Sequence, residues 1–175
     1  MPARTAATAL FLVVICSWTG GYAQSAGSGA GPVSPVDRAA IEQLLAAYNR
    51  ALSGCASTQY AELFTPDGTF TSDDFRGATH RRLYGKTATL SGHDRLVELV
   101  DTEEFCLNPQ QRAARAGGRG SEVGPFANLT LEATAEGIRG VLPLGKGGRY
   151  EDLYVKTADG WKFRSRKVVM PSADR

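Results

Sequence analysis

The sequence predicts an α+β protein, with helices in its first half and paired strands in its second. Two patterns carry that reading. Ile41, Leu44, Leu45, Tyr48 and Leu52 recur at helical spacing, and residues 149–169 (RYEDLYVKTADGWKFRSRKVV) alternate through two strands about an Asp159-Gly160 turn. The 175 residues suit one domain with a real core. Twenty basic residues against 18 acidic ones leave a net charge of +2, which gives no electrostatic case for nucleic acid as a partner.

The chain opens on a leader pattern over residues 1–23: Arg4, the apolar run ALFLVVIC at 9–16, then Gly21-Tyr22-Ala23 as a cleavage site. The run falls short of the roughly 20 residues that span a bilayer. A cleaved signal peptide is therefore expected, with an uncleaved anchor as the alternative. Ile15 before Cys16 argues against a lipoprotein, whose signal needs a small residue there. The mature protein is expected to start near Gln24, to be periplasmic or secreted, and to keep no membrane attachment after cleavage. Residues 24–33 (QSAGSGAGPV) form a flexible linker, and the domain proper runs over 34–172. Export leaves Cys55 and Cys106 as an even pair in an oxidising compartment, where a disulfide is the default and two separate thiols the alternative. Neither His80 nor His93 stands at ligand spacing from these cysteines, so neither a metal nor a cofactor is expected.

In order along the domain, Ser34 caps a helix that starts with Pro35, carries Asp37 in its first turn and ends at Ser53-Gly54. Tyr48 lies on its apolar stripe and reads as core before ligand contact. A second helix over 58–64 points Tyr60, Leu63 and Phe64 inward, and Asp67-Gly68 turns into a strand at 69–72. Residues 73–80 read as loop and 82–86 as a strand. Ser91 and Asp94 resemble a capping box opening a helix with Leu96, Val97 and Val100 on its apolar face. His80 and His93 read as solvated. Asn108-Pro109 starts a short helix ending at Gly117, whose Arg112 and Arg115, with Arg119 beyond it, read as a solvated basic face. Strands at 126–133 and 138–144 lead into the final hairpin, and Asn128-Leu129-Thr130 fits the glycosylation pattern in a host that performs it.

For that hairpin a three-residue turn at Ala158, Asp159 and Gly160 is expected, with Gly160 in the left-handed region. It pairs Val155 with Phe163 and Leu153 with Ser165, gathering Leu153, Val155, Trp161 and Phe163 on one face. Tyr150, Asp152, Tyr154, Arg164 and Arg166 share the other, with Asp152 opposite Arg166. That polar face is where a function is expected.

The Tyr-x-Asp-x-Tyr strand at 150–154, the Asp-Gly-Trp turn, the closing Ser165-Arg166, the opening helix and the run YAELFTPDG at 60–68 resemble SnoaL-like domains of the nuclear transport factor 2-like superfamily, which includes scytalone dehydratase. The resemblance spans about residues 35–170 and implies a cystatin-like α+β barrel, a cone-shaped curved antiparallel sheet wrapped around N-terminal helices. It implies no single activity. Dehydratase-like members use an aspartate near the end of the first helix and a histidine four residues before a strand asparagine as acid and base. Ser53 and Gly124 stand at those positions, so both catalytic groups are missing. Asn128 matches the asparagine, and Tyr150, Asp152 and Arg166 match the polar hairpin positions. Asp152 is expected to be a weak base because the opposed arginine lowers its pKa, which leaves Glu122 as the one nearby substitute. No catalytic residue is assigned. The expected function is that of an exported domain binding a small, partly apolar molecule in a concave pocket, with Tyr48, Tyr60, Asn128, Tyr150, Asp152 and Arg166 as pocket residues. A lyase (dehydratase) or isomerase using other residues, and a module dimerising through its sheet, are the alternatives.

Overall fold

In the computed structural model, which describes residues 31–111, 113, 126–145 and 147–171, the chain enters helix α1 (Pro35–Ser53) through Ser34. The Ser34 hydroxyl accepts from the Asp37 amide, and Pro35 occupies the first turn, where its missing N–H costs nothing. Ile41, Leu44, Leu45, Tyr48 and Ala51 form the buried stripe. Helix α2 (Ser57–Glu62) buries Tyr60 and Ala61 beside it. Strand β1 (Phe64–Ser72) begins earlier than its sequence suggests, taking Phe64 from the expected helix. Helix α3 (Ala78–Tyr84), strand β2 (Ala88–Ser91), helix α4 (His93–Asp101) and helix α5 (Glu104–Leu107) follow. Strands β3 (Thr130–Thr134), β4 (Gly137–Pro143), β5 (Arg149–Thr157) and β6 (Gly160–Val169) complete the described elements.

The six strands form one curved, open sheet in the order β2-β1-β6-β5-β4-β3. Neighbours pair antiparallel except β1 and β6, which run parallel. The helices cover the inner face, where Ile41, Leu45, Leu96, Val100, Tyr60, Phe64 and Phe163 are essentially inaccessible to solvent. Each such aliphatic side chain contributes roughly 1.5–3 kcal/mol by its removal from water. Among the described residues no helix is long and apolar enough to cross a membrane.

Three expected elements differ from the structure. Residues 82–86 are not a strand: α3 occupies 78–84 and the second strand lies at 88–91. The cause is tertiary, because the Glu104 carboxylate accepts from the Ala78 and Thr79 amides and caps α3 from another element. Ser91 is the last residue of β2 and caps nothing; Gly92, at φ 83°, opens α4 in the left-handed region instead. The strand expected from residue 126 starts at Thr130, after a turn closed by Leu129 N–H donating to Phe126 O. The leader, most of the linker and the segment bearing Arg112, Arg115, Arg119, Glu122 and Gly124 lie outside the described residues.

The final hairpin follows the expected register only in its outer part. Asp152 faces Arg166 and Leu153 faces Ser165, but a two-residue turn pairs Thr157 with Gly160, Tyr154 with Phe163 and Lys156 with Trp161. A bulge at Arg164 reconciles the two registers. Trp161 and Phe163 consequently lie on the Arg166 face, contrary to expectation, while Leu153 and Val155 stay half-buried on the other. One extra residue lets Tyr154 and Phe163 reach the helices without breaking the Asp152–Arg166 pair. The displaced Arg164 points out to the Asp67 carboxylate. Cys55, just beyond α1, and Cys106 on α5 are joined by a disulfide with Cα atoms 5.6 Å apart.

Candidate binding site

The polar face of the hairpin is the inner face of the sheet. Arg166 and Asp152 are 1% and 5% exposed, so both charges sit away from water. Arg166 Nη2 donates to Asp152 Oδ2 at 3.1 Å, Nε lies 3.1 Å from Oδ1, and Tyr154 Oη donates to Oδ2 at 2.7 Å. The guanidinium carbon stands 4.0 Å from the Tyr48 ring centroid, 3.9 Å from that of Tyr150 and 4.6 Å from that of Phe163. Helix α1 and strand β5 thus each press an aromatic face on the cation. Desolvated cation–π contacts of this kind are worth about 2 kcal/mol or more, which helps offset the cost of burying the ion. The Asp152 charge holds Arg166 protonated despite burial. Burial also pushes the Asp152 carboxyl up from the usual range against the opposing pull of Arg166 and Tyr154, reversing the direction expected from Arg166 alone.

Above these rings lies a cavity of about 280 Å³. Leu52, Phe70, Phe75, Leu99 and Val168 supply apolar wall, and Tyr48, Tyr60 and Tyr150 turn their rings into it. Tyr60 Oη donates to Tyr48 Oη at 3.4 Å. Burial raises both phenols well above their ordinary pKa, so each keeps its proton at neutral pH. Arg76, paired with Asp74, marks the solvent side.

His80, read from the sequence as solvated, is 5% exposed and lines this cavity. Its Nε2 lies 2.9 Å from Leu99 O, and its Nδ1 lies 3.6 Å from Glu103 Oε1. Its ring packs edge-on against Phe75, with centroids 5.5 Å apart. His93 is half-buried, with Nε2 3.2 Å from Phe64 O, and lies off the cavity. Of the six pocket residues expected, Tyr48, Tyr60 and Tyr150 line the cavity and Asp152 and Arg166 form the pair behind the rings. Asn128 does not join them; it is exposed in the turn before β3. His80 and Glu103 escaped the sequence reading. The available signal was the four-residue spacing of His80 and Tyr84, which puts both on one face of a helix. Among the described residues no group of three or more His, Cys, Asp or Glu could hold a metal.

A curved sheet wrapped over helices, with an aromatic cavity between them, defines a cystatin-like cone with an internal site. The family model of the SnoaL-like domain matches residues 36–167, and the chain belongs to that family. The structure is similar to a nuclear transport factor 2-like protein with a cystatin-like fold from Novosphingobium aromaticivorans, at 18% identity over 79% of this chain and 84% of that one, with a TM-score of 0.52. It is also similar to ActVI-ORFA from Streptomyces coelicolor, at 15% identity over 79% and 97% of the two chains, with a TM-score of 0.50. At such identities the likeness speaks for the fold alone. No curated protein matches the sequence.

Proposed function

We propose that this chain is an exported SnoaL-like domain that binds a small, partly apolar molecule in the cavity between α1, α2 and the sheet, and that it works without the family's aspartate–histidine pair. The observation that carries the reading is the cavity itself: about 280 Å³, with an aromatic and aliphatic wall beside the polar side chains of Ser72, Asp74, Arg76, His80 and Glu103. Ser53 at the end of α1 offers no carboxylate, and the Asp152 carboxylate is engaged by Arg166 and Tyr154, which removes the obvious substitute. The leader pattern and the disulfide support export. Native mass spectrometry of protein recovered from the periplasm of its producing cells should show an added small-molecule mass that denaturation releases. Leu99→Trp, which fills the cavity, should abolish that mass while the protein stays folded. Only the bare polypeptide mass, together with no thermal shift across a metabolite library, sinks the proposal.

A further inference from the structure

We propose that the cavity takes a protonated amine carried on a compact aromatic or alicyclic body, with the Asp74 and Glu103 carboxylates holding the ammonium group and the rings of Tyr60, Phe70 and Phe75 receiving the body. The inference rests on the reading of the cavity as a small-molecule site and names the class of molecule bound there. Charge makes the first half of the argument. Asp74 and Glu103 both line the cavity, and Arg76 is the one lysine or arginine among its described lining residues. Arg76 is exposed, and Asp74 Oδ2 accepts from its Nε at 3.1 Å. His80 turns Nε2 to Leu99 O and Nδ1 to Glu103 Oε1, so it braces the wall rather than offering a nitrogen to a ligand. A carboxylate has about four lone-pair sites, so these contacts leave both acids room for further donors. An anionic head meets like charge here, while an ammonium finds two charge-assisted acceptors. The Asp74 and Glu103 side chains are 25% and 31% exposed, so an ammonium held by them keeps part of its hydration and avoids the full desolvation cost of a buried ion pair.

The aromatic wall makes the second half. Tyr48 and Tyr150 already stand against the Arg166 guanidinium, whose charge Asp152 compensates, so those rings serve a cation of the protein's own. Tyr60, Phe70 and Phe75 line the same cavity with no such cation over them among the described residues. Phe70 and Phe75 have centroids 6.4 Å apart, and Phe75 meets the His80 ring edge-on at 5.5 Å, which fixes the wall next to Asp74. The negative faces of such rings attract an organic cation, and they bury its apolar body in the same step. Burial above all, and in smaller part the Glu103 charge, keeps the Tyr60 phenol protonated, so the acidic lining and the rings share one electrostatic space. A volume of about 280 Å³ lies at the lower end of ligand-pocket sizes, which suits one or two rings with a short aminoalkyl arm.

The test titrates the mature protein, by calorimetry at neutral pH, with three probes of one shape and different charge: 2-phenylethylamine, 2-phenylethanol and 3-phenylpropionate. The amine should bind roughly tenfold or more tightly than the alcohol, the scale of one hydrogen bond to a charged group, and the carboxylate should bind most weakly. Glu103→Gln and Asp74→Asn, which keep the shape and remove the charge, should each weaken the amine about tenfold while the alcohol hardly changes. Added salt should weaken the amine and spare the alcohol. Leu99→Trp should abolish binding of all three, which locates them in the cavity. Alcohol as tight as amine, a preference for the carboxylate, or amine affinity indifferent to salt and to both charge-removing variants overturns the ammonium assignment and leaves the binding reading standing. Amine binding that persists in Leu99→Trp overturns it as well. If none of the probes binds, the assignment falls, while the metabolite-library screen decides the binding reading independently.

Discussion

Arg166 holds a full charge where water reaches almost none of its side chain, and its neighbours explain how: Asp152 compensates the charge while the Tyr48 and Tyr150 rings stand 4.0 and 3.9 Å from the guanidinium carbon. Removing one partner of such a pair strands the other. Arg166→Ala should therefore cost about 3–5 kcal/mol in urea denaturation. Arg164→Ala, which loses only an outward contact with Asp67, should leave the midpoint nearly unchanged. Equal losses in the two variants would contradict the buried-pair account. A second residue links the ends of the domain. Asp37 accepts from Ser34 Oγ at 2.7 Å, and from Lys156 Nζ and Trp161 Nε1 at 3.1 Å each. The Ser34 bond above all, then the hairpin donors, hold its carboxyl below the ordinary range. A depressed carboxyl stabilises the fold at every pH above its unfolded pKa of about 3.9, and that contribution drains away as pH falls through the lower folded value. Asp37→Asn should flatten the acid limb of the stability profile below about pH 4 and remove the gain otherwise seen above it. Thermal midpoints from pH 2 to 7 decide the matter, and parallel profiles in the two proteins would count against it.

Elements legible in the sequence are those whose local pattern and tertiary role agree. Helix α1 has its cap, its Pro35 and its apolar stripe all in phase, and the pairing of Asp152 with Arg166 follows from complementary charge in two alternating strands. Helix α3 fails that condition. Its cap comes from Glu104, beyond two intervening elements, so nothing near residue 78 announces a helix start, and His80 consequently reads as solvated. The hairpin misled for a related reason: gathering apolar residues favoured one register, while the helices select another through a bulge that places Phe163 inside and Arg164 outside. The tyrosine positions of the site were legible because their motif is local, whereas the His80–Glu103 contact joins separate elements. Gly137 tests the sheet at its tightest crossing. It sits at φ 149°, and an added Cβ would come 2.2 Å from Tyr154 O, which is backbone and cannot swing away. Gly137→Ala should cost about 1–3 kcal/mol, against little change for Gly145→Ala, where nothing stands within 4 Å. Urea midpoints of the two variants compare them directly, and equal losses would show that the β4–β5 crossing tolerates the methyl.

At the scale of the whole molecule, the disulfide and the cavity are coupled through the same wall. Cys106 ties α5 to the end of α1. Glu104 on α5 caps α3, which carries His80, and His80 in turn contacts Leu99 O on α4. A bridge across a separation of 51 residues restricts the unfolded chain, by about 4 kcal/mol in the chain-entropy description. Cys55→Ser with Cys106→Ser should therefore lower stability by a large part of that amount in urea denaturation. Its local effect is as specific: without the bridge, α5 is free to lift, and the groups that it positions on the cavity wall go with it. A ligand that needs this wall closed binds the oxidised protein more tightly, and by reciprocity of linkage it must make the disulfide harder to reduce by the same factor. Saturating ligand at a hundred times its Kd would add about 2.7 kcal/mol to the folded state. The expected outcome is weaker retention of the co-purifying small molecule by the double-serine variant in native mass spectrometry, and a disulfide more resistant to dithiothreitol when that molecule is bound. Equal binding by the two proteins, with ligand-independent reduction, would mean that the bridge steadies the fold without shaping the site.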